Sequence, residues 1–223
     1  MTISTTGVNV TRIERPSPTA HGRGLVPSCR RGAGGSPTFS PNTSNQFGVA
    51  PSIINRPYTI TAEIEVPKGG ANGVLVTQGG RFSGYGLYLV KGKPTFTMNL
   101  LDLERPKWQS QTPLTPGKHT IVFDWKTAPT GEPIGRGGSG TLSVDGRMVA
   151  QKALPHTQPM IWAWDETFDI GLDTGTSVDN TDYDVPFPFT GTIGKITFDL
   201  GETLMSPEAI KKMMEEMAQK RDR

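Results

Sequence analysis

Between Tyr58 and Val66 apolar and polar side chains alternate without a break. Tyr58, Ile60, Ala62, Ile64 and Val66 fall on one side, and Thr59, Thr61, Glu63 and Glu65 on the other. A period of two sustained this long describes a strand with one buried and one wet face. Shorter runs follow: Val74-Leu75-Val76, Tyr85 to Val90, Thr95 to Leu100, a strand around Trp108, and His119 to Trp125 with Ile121, Phe123 and Trp125 on one face. Lys91-Gly92-Lys93, Pro116-Gly117 and Asp145-Gly146 read as turns, the last joining Thr141–Val144 to Met148–Ala150 as a hairpin. The last alternating run, Thr192 to Leu200, sets Ile196, Phe198 and Leu200 against Lys195, Thr197 and Asp199.

The two ends break this pattern. Residues 1–37 have no usable period and scatter Arg12, Arg15, Arg23, Arg30 and Arg31 among Pro, Ser and Gly. Such a segment buries too little to offset the entropy of ordering, so it predicts a disordered basic leader. A contact with an acidic partner, or a misplaced start or reading frame, are the other readings. Residues 204–223 predict one amphipathic helix. Ser206 is the N-cap, Pro207 and Glu208 suit the first turn, and Ile210, Met213, Met214 and Met217 form one stripe. That stripe needs a surface, either the chain's own sandwich or another domain. Between the ends, 38–203, many strands and turns without strand–helix alternation predict a single all-β, antiparallel two-sheet sandwich.

Composition narrows the function classes. The 223 residues include 27 Gly and 19 Pro, as a turn-rich β domain requires. A formal net charge of +2 argues against a nucleic-acid partner. Cys29 is the only cysteine, so no intramolecular disulfide forms. No apolar run approaches the roughly 18 residues of a membrane span, and Met1 to Thr6 begin no signal peptide. The sequence as written therefore predicts a soluble, cytoplasmic chain.

Several groups invite chemistry. Asp165, Glu166, Asp169, Asp173, Asp179, Asp182 and Asp184 crowd one Gly- and Thr-interrupted stretch. Hard oxygen ligands in loops can hold calcium, with Asp165, Glu166, Asp169 and Asp173 as the candidate ligands. The spacing fits no EF-hand-type loop, and solvated loop acids explain it equally well. Glu166 and Asp169 lie three apart, on opposite faces of an extended segment, so a glycosidase carboxylate pair is not predicted. Gly135 to Gly140 matches G-x-G-x-x-G but runs into a strand rather than opening a helix, and reads as a flexible connection. His119 and His156 lack a nucleophile partner in a recognisable motif and read as structural or solvent-facing. For surface recognition the candidates are Arg81, Phe82, Tyr85, Tyr88, Trp108, Trp162 and Trp164, because aromatics stack on sugars and, with Arg, dominate interfaces. Trp125 reads as core.

Five stretches resemble the C-terminal region of large bacterial arylsulfatases: Asn55–Ala62, Gly79–Tyr88, Gly137–Leu142, Asp165–Gly171 and Tyr183–Phe187. More broadly, Tyr58–Ala62, Gly73–Val76, Gln78–Phe82, Gly117–Thr120, Leu142–Gly146 and Phe189–Ile193 resemble, in order, the laminin-G and concanavalin-A-like sandwiches. The match covers about Asn55 to Leu200. The resemblance implies a jelly-roll sandwich and a parent family of sulfate-ester hydrolases whose formylglycine, made in a C/S-x-P-x-R motif, lies in a separate α/β domain. Cys29-Arg30-Arg31-Gly32 lacks the Pro and Arg of that motif, and Ser17 has Ala20 and His21 at its last positions. The expectation is a non-catalytic accessory domain, a fragment or orphaned half, that packs on a sulfatase catalytic domain. A stand-alone carbohydrate-binding module with a glycan partner is the alternative, and a metal-dependent glycan enzyme the third. An exposed apolar patch favours the first, and a concave face lined by Trp or Tyr the second.

Overall fold

The computed structural model describes residues 7–9, 44–45, 50–132, 134–159 and 166–205, together with Lys211. The described strands are β1 (Gly7–Asn9), β2 (Ser44–Asn45), β3 (Tyr58–Val66), β4 (Gly73–Gly79), β5 (Gly84–Val90), β6 (Lys93–Asn99), β7 (Lys107–Gln109) and β8 (Gly117–Thr127). They continue with β9 (Arg136–Val144), β10 (Arg147–His156), β11 (Phe168–Ile170), β12 (Leu172–Asp173), β13 (Phe187–Pro188) and β14 (Thr192–Leu200). One sheet, A, has the order β1-β14-β3-β8-β9-β10; the other, B, has β2-β11-β4-β5-β6-β7. All of their pairings are antiparallel, and the chain is the all-β two-sheet sandwich that alternation predicts. The expected C-terminal helix and most of the basic leader lie outside the described residues.

Sheet A follows the period-two reading. Tyr58, Ile60, Ala62, Ile64 and Val66 of β3 are buried, and β14 and β8 pair with it so that Phe198 and Phe123 flank Ile60 in one row. At mid-core the Phe123 ring stacks on Phe96 of the opposite sheet, with centroids 3.5 Å apart and planes at 14°. Trp108 meets Phe123 edge-on at 5.1 Å and Trp125 at 6.3 Å. These rings fasten the two sheets face to face, as sandwich packing demands.

One sequence expectation fails here, because of close packing. The Gly-rich run around Gly137, expected as a flexible connection, is the first half of β9. A Cβ on Gly140 would come within 2.8 Å of the Trp108 and Phe123 rings, and Trp108 Nε1 donates to Gly140 O at 2.9 Å. The glycine lets the indole lie directly on the strand backbone. The central strands of sheet B, β4, β5 and β6, have no wet face. Leu87, Leu89, Phe96 and Met98 point into the sandwich, yet Val74, Tyr88, Thr95, Thr97 and Asn99 on the opposite side are buried too. Tyr183, Val185 and Phe187, from a strap running from Gly171 to Phe189, pack on Val74 and Tyr88. β12 and β13 close the strap's two ends as a small ladder of their own.

Truncating the central ring tests this account of the core. Phe123→Ala is expected to cost about 3–5 kcal/mol of stability, read as a lower urea midpoint with an unchanged slope.

Candidate functional site

Asn99 ends β6 inside the protein, where an amide side chain must find partners. Its Nδ2 donates to Gly80 O at 2.9 Å, to Arg81 O at 2.6 Å and to Val178 O at 3.1 Å, while its Oδ1 accepts from Asp102 N at 2.9 Å. One buried side chain thus gathers the β4–β5 loop, the β6–β7 loop and the strap at one end of sheet B. Leu101 and Asp102, at φ 56° and 61°, turn the β6–β7 loop outward. Three large apolar side chains stand in solvent on the two loops: Phe82 is 63% exposed, Leu101 45% and Leu103 84%. The Arg81 guanidinium lies 5.7 Å from the Phe82 ring centre. At the same end His156 Nε2 lies 3.3 Å from Glu104 Oε1.

The strap is fastened by the acids that crowded the sequence. Lys107 Nζ bridges Asp179 Oδ2 at 2.8 Å and Asp182 Oδ1 at 2.7 Å, and Tyr88 OH donates to Asp182 Oδ2 at 2.6 Å. Tyr183 OH donates to Asp173 Oδ2 at 2.6 Å, and its ring stacks on Phe187 at 4.7 Å. Asp169 accepts from the Thr167 hydroxyl at 2.8 Å. Glu166 accepts from the Thr176 backbone N–H at 3.1 Å and from the Thr176 hydroxyl, whose oxygen also accepts from Arg81 N at 2.8 Å. Burial opposes ionisation of Asp179, but hydrogen bonds from Lys107 and Thr181 outweigh it and hold the carboxyl below its usual range. Asp173 behaves in the opposite way. Burial pushes it up to about 6, and the neighbouring charges of Asp169 and Glu166 add to the rise. Asp169 is raised too, by burial first and then by the charge of Glu166.

The predicted site residues therefore separate by where the fold places them. Arg81 and Phe82 are exposed at the loop end. Tyr85 and Trp108, read from the sequence as surface candidates, are instead core residues, 0% and 1% exposed, because their strand positions face the opposite sheet. Tyr88 is buried beneath the strap. Trp162, Trp164 and Asp165 lie outside the described residues. Of the remaining calcium candidates, Glu166, Asp169 and Asp173 are held by the hydrogen bonds above. Among the described residues no three His, Cys, Asp or Glu side chains converge as metal ligands. His119 is engaged at both ring nitrogens, with Asp145 Oδ2 at 2.7 Å and Thr115 O at 2.8 Å, an arrangement that anchors a hairpin turn. Sequence reasoning missed Asn99, Leu101 and Leu103. The run Leu100-Leu101-Asp102-Leu103 was their one signal, apolar residues continuing past a strand's end.

No protein-family model matches the chain, and no curated protein matches it. Solved structures do. Domains LG4-5 of the mouse laminin alpha1 chain align at 14% identity and a TM-score of 0.47, covering 68% of this chain and 38% of that one. The CBM40 of a Ruminococcus gnavus IT-sialidase, solved with alpha2,3 sialyllactose, aligns at 14% identity and 0.45, covering 66% and 78%. A leech intramolecular trans-sialidase aligns at 16% identity and 0.46, covering 71% and 23%. This chain thus spans well under half of the laminin and trans-sialidase chains. At these distances the likenesses say nothing about what this chain binds.

The raised Asp173 predicts an acid-favoured strap. A carboxyl with a higher pKa when folded than when unfolded contributes stability fully below the ordinary carboxylate range, and that contribution is lost as pH rises to about 6. Asp173→Asn is expected to match the wild type in urea midpoint at pH 4 and to exceed it at pH 7.5, since the amide oxygen still accepts from Tyr183. A wild-type advantage at pH 7.5 contradicts this.

Proposed function

We propose that this chain is a non-catalytic accessory β-sandwich of an arylsulfatase, and that it docks on a sulfatase catalytic domain through the loop end gathered by Asn99. The observation that carries this reading is the exposure of Phe82, Leu101 and Leu103 on two loops tied to a single buried amide. Large apolar side chains grouped in solvent mark a docking surface, and a neighbouring arginine is the charged residue most often found in one. Two of the arylsulfatase-like stretches, Gly79–Tyr88 and Tyr183–Phe187, border this end or form the strap beside it.

The glycan-module reading needs an aromatic platform. All four tyrosines are buried, as are the described tryptophans Trp108 and Trp125. Stacking on sugar rings therefore has no support among the described residues. Sulfate-ester hydrolysis belongs to the partner in this reading, because the C/S-x-P-x-R motif is missing from the sequence.

The test titrates the chain into a bacterial arylsulfatase catalytic domain stripped of its own C-terminal sandwich. A one-to-one complex is expected on gel filtration. The Phe82→Ser, Leu103→Ser double variant is expected to bind about tenfold or more weakly while remaining folded. The chain alone is expected to leave a chromogenic aryl sulfate intact. No complex, combined with retention on a glycan array, replaces the proposal with the binding-module alternative. Turnover by the chain alone refutes it outright.

A further inference from the structure

A small pocket opens where the entry to β3 meets the start of β9. Its lining includes Asn55, Arg56, Tyr58, Arg136, Thr157 and Gln158. Asn55 builds it. With φ at 52°, a conformation asparagine tolerates better than most residues, it accepts from Gly135 N at 2.8 Å, and its carbonyl accepts from Leu204 N at 2.7 Å. This ties the β8–β9 connection and the C-terminal crossing to the residue just before Arg56.

The charges here are one-sided. Arg56 and Arg136 both line the pocket, and no carboxylate does. Arg136 donates from Nε to Glu132 O at 3.0 Å and from Nη2 to Gly131 O at 2.6 Å, so it is held by backbone carbonyls and keeps its positive charge uncompensated by them. Two lining residues also carry a buried donor with no partner, Arg56 Nε and Tyr58 OH. Tyr58 is only 4% exposed, and burial raises its pKa well above 10, so the hydroxyl keeps its proton. Orphaned buried donors are rare in folded proteins and call for an acceptor. The cavity has about 10 Å³ of room, enough for one oxygen atom.

We propose that this pocket binds an oxyanion, taking one oxygen of a sulfate, phosphate or carboxylate group into the cavity while the Arg56 and Arg136 guanidinium groups hold the rest at its mouth. Guanidinium forks match the planar or tetrahedral oxygens of such groups, and the Tyr58 hydroxyl and Arg56 Nε supply the donors an anionic oxygen needs. The inference does not depend on the sulfatase reading, since it rests on this pocket alone.

Thermal unfolding of the full chain in sodium sulfate, with sodium chloride holding ionic strength constant, tests it. A saturable rise of the midpoint is expected, with parallel phosphate and acetate series showing which oxyanion is preferred. Arg56→Gln is expected to weaken the fitted affinity about tenfold or more. Tyr58→Phe is expected to be at least as stable as the wild type in chloride and to respond less to the oxyanion. It carries the same test should Arg56→Gln fail to fold. An equal rise in chloride alone, or an undiminished response in the variants, overturns the proposal.

Discussion

The central strands of sheet B, β4, β5 and β6, are buried on both of their faces, and most of what is distinctive in this chain follows from that. A sandwich sheet ordinarily gives one face to the core and one to water. Here the outer face carries Val74 and Tyr88, which must be covered, and the strap from Gly171 to Phe189 covers them with Tyr183, Val185 and Phe187. A cover that crosses a sheet face has to be held without a strand ladder of its own along most of its length. The holding is polar: Lys107 between Asp179 and Asp182, Tyr88 on Asp182, and Tyr183 on Asp173. These acids thus have a mechanical role, and Glu166, Asp169 and Asp173, which read as calcium ligands, are engaged in hydrogen bonds.

The strap also shapes the end of the molecule. Its Val178 carbonyl and the Gly80 and Arg81 carbonyls share one amide, that of Asn99, so strap and loops are set in a common arrangement. Fixed in this way, Phe82 and Leu103 are displayed to solvent on a rigid base. Pre-organised apolar side chains lose little freedom on binding, which suits a docking surface. Phe96, Phe123, Trp108 and Trp125, by contrast, lie in the interior, where they join the two sheets.

Strands β3, β8 and β14 of sheet A were legible because one of their faces is wet. The alternation in β3, β8 and β14 is the direct imprint of that asymmetry, and the Asp145-Gly146 turn marked its hairpin. β11, β12 and β13 left no such imprint, because they are only two or three residues long. Two-sided burial erased the period in sheet B, which is why Tyr85 and Trp108 passed for surface residues although both face the core. Gly137 to Gly140 passed for a flexible linker because propensity records the missing side chain and not the Trp108 ring that occupies its place. Arg81 and Phe82 were found from residue type alone. Asn99 could not be, since its role depends on three segments meeting far from one another in sequence.

Hydrogen exchange, measured on the chain with and without a stripped arylsulfatase catalytic domain, tests the docking account most directly. The account predicts added protection confined to the β4–β5 loop around Phe82 and the β6–β7 loop around Leu103, with the outer face of sheet A unchanged. Protection on that face with both loops unaffected, or no protection anywhere at saturating partner, would contradict it.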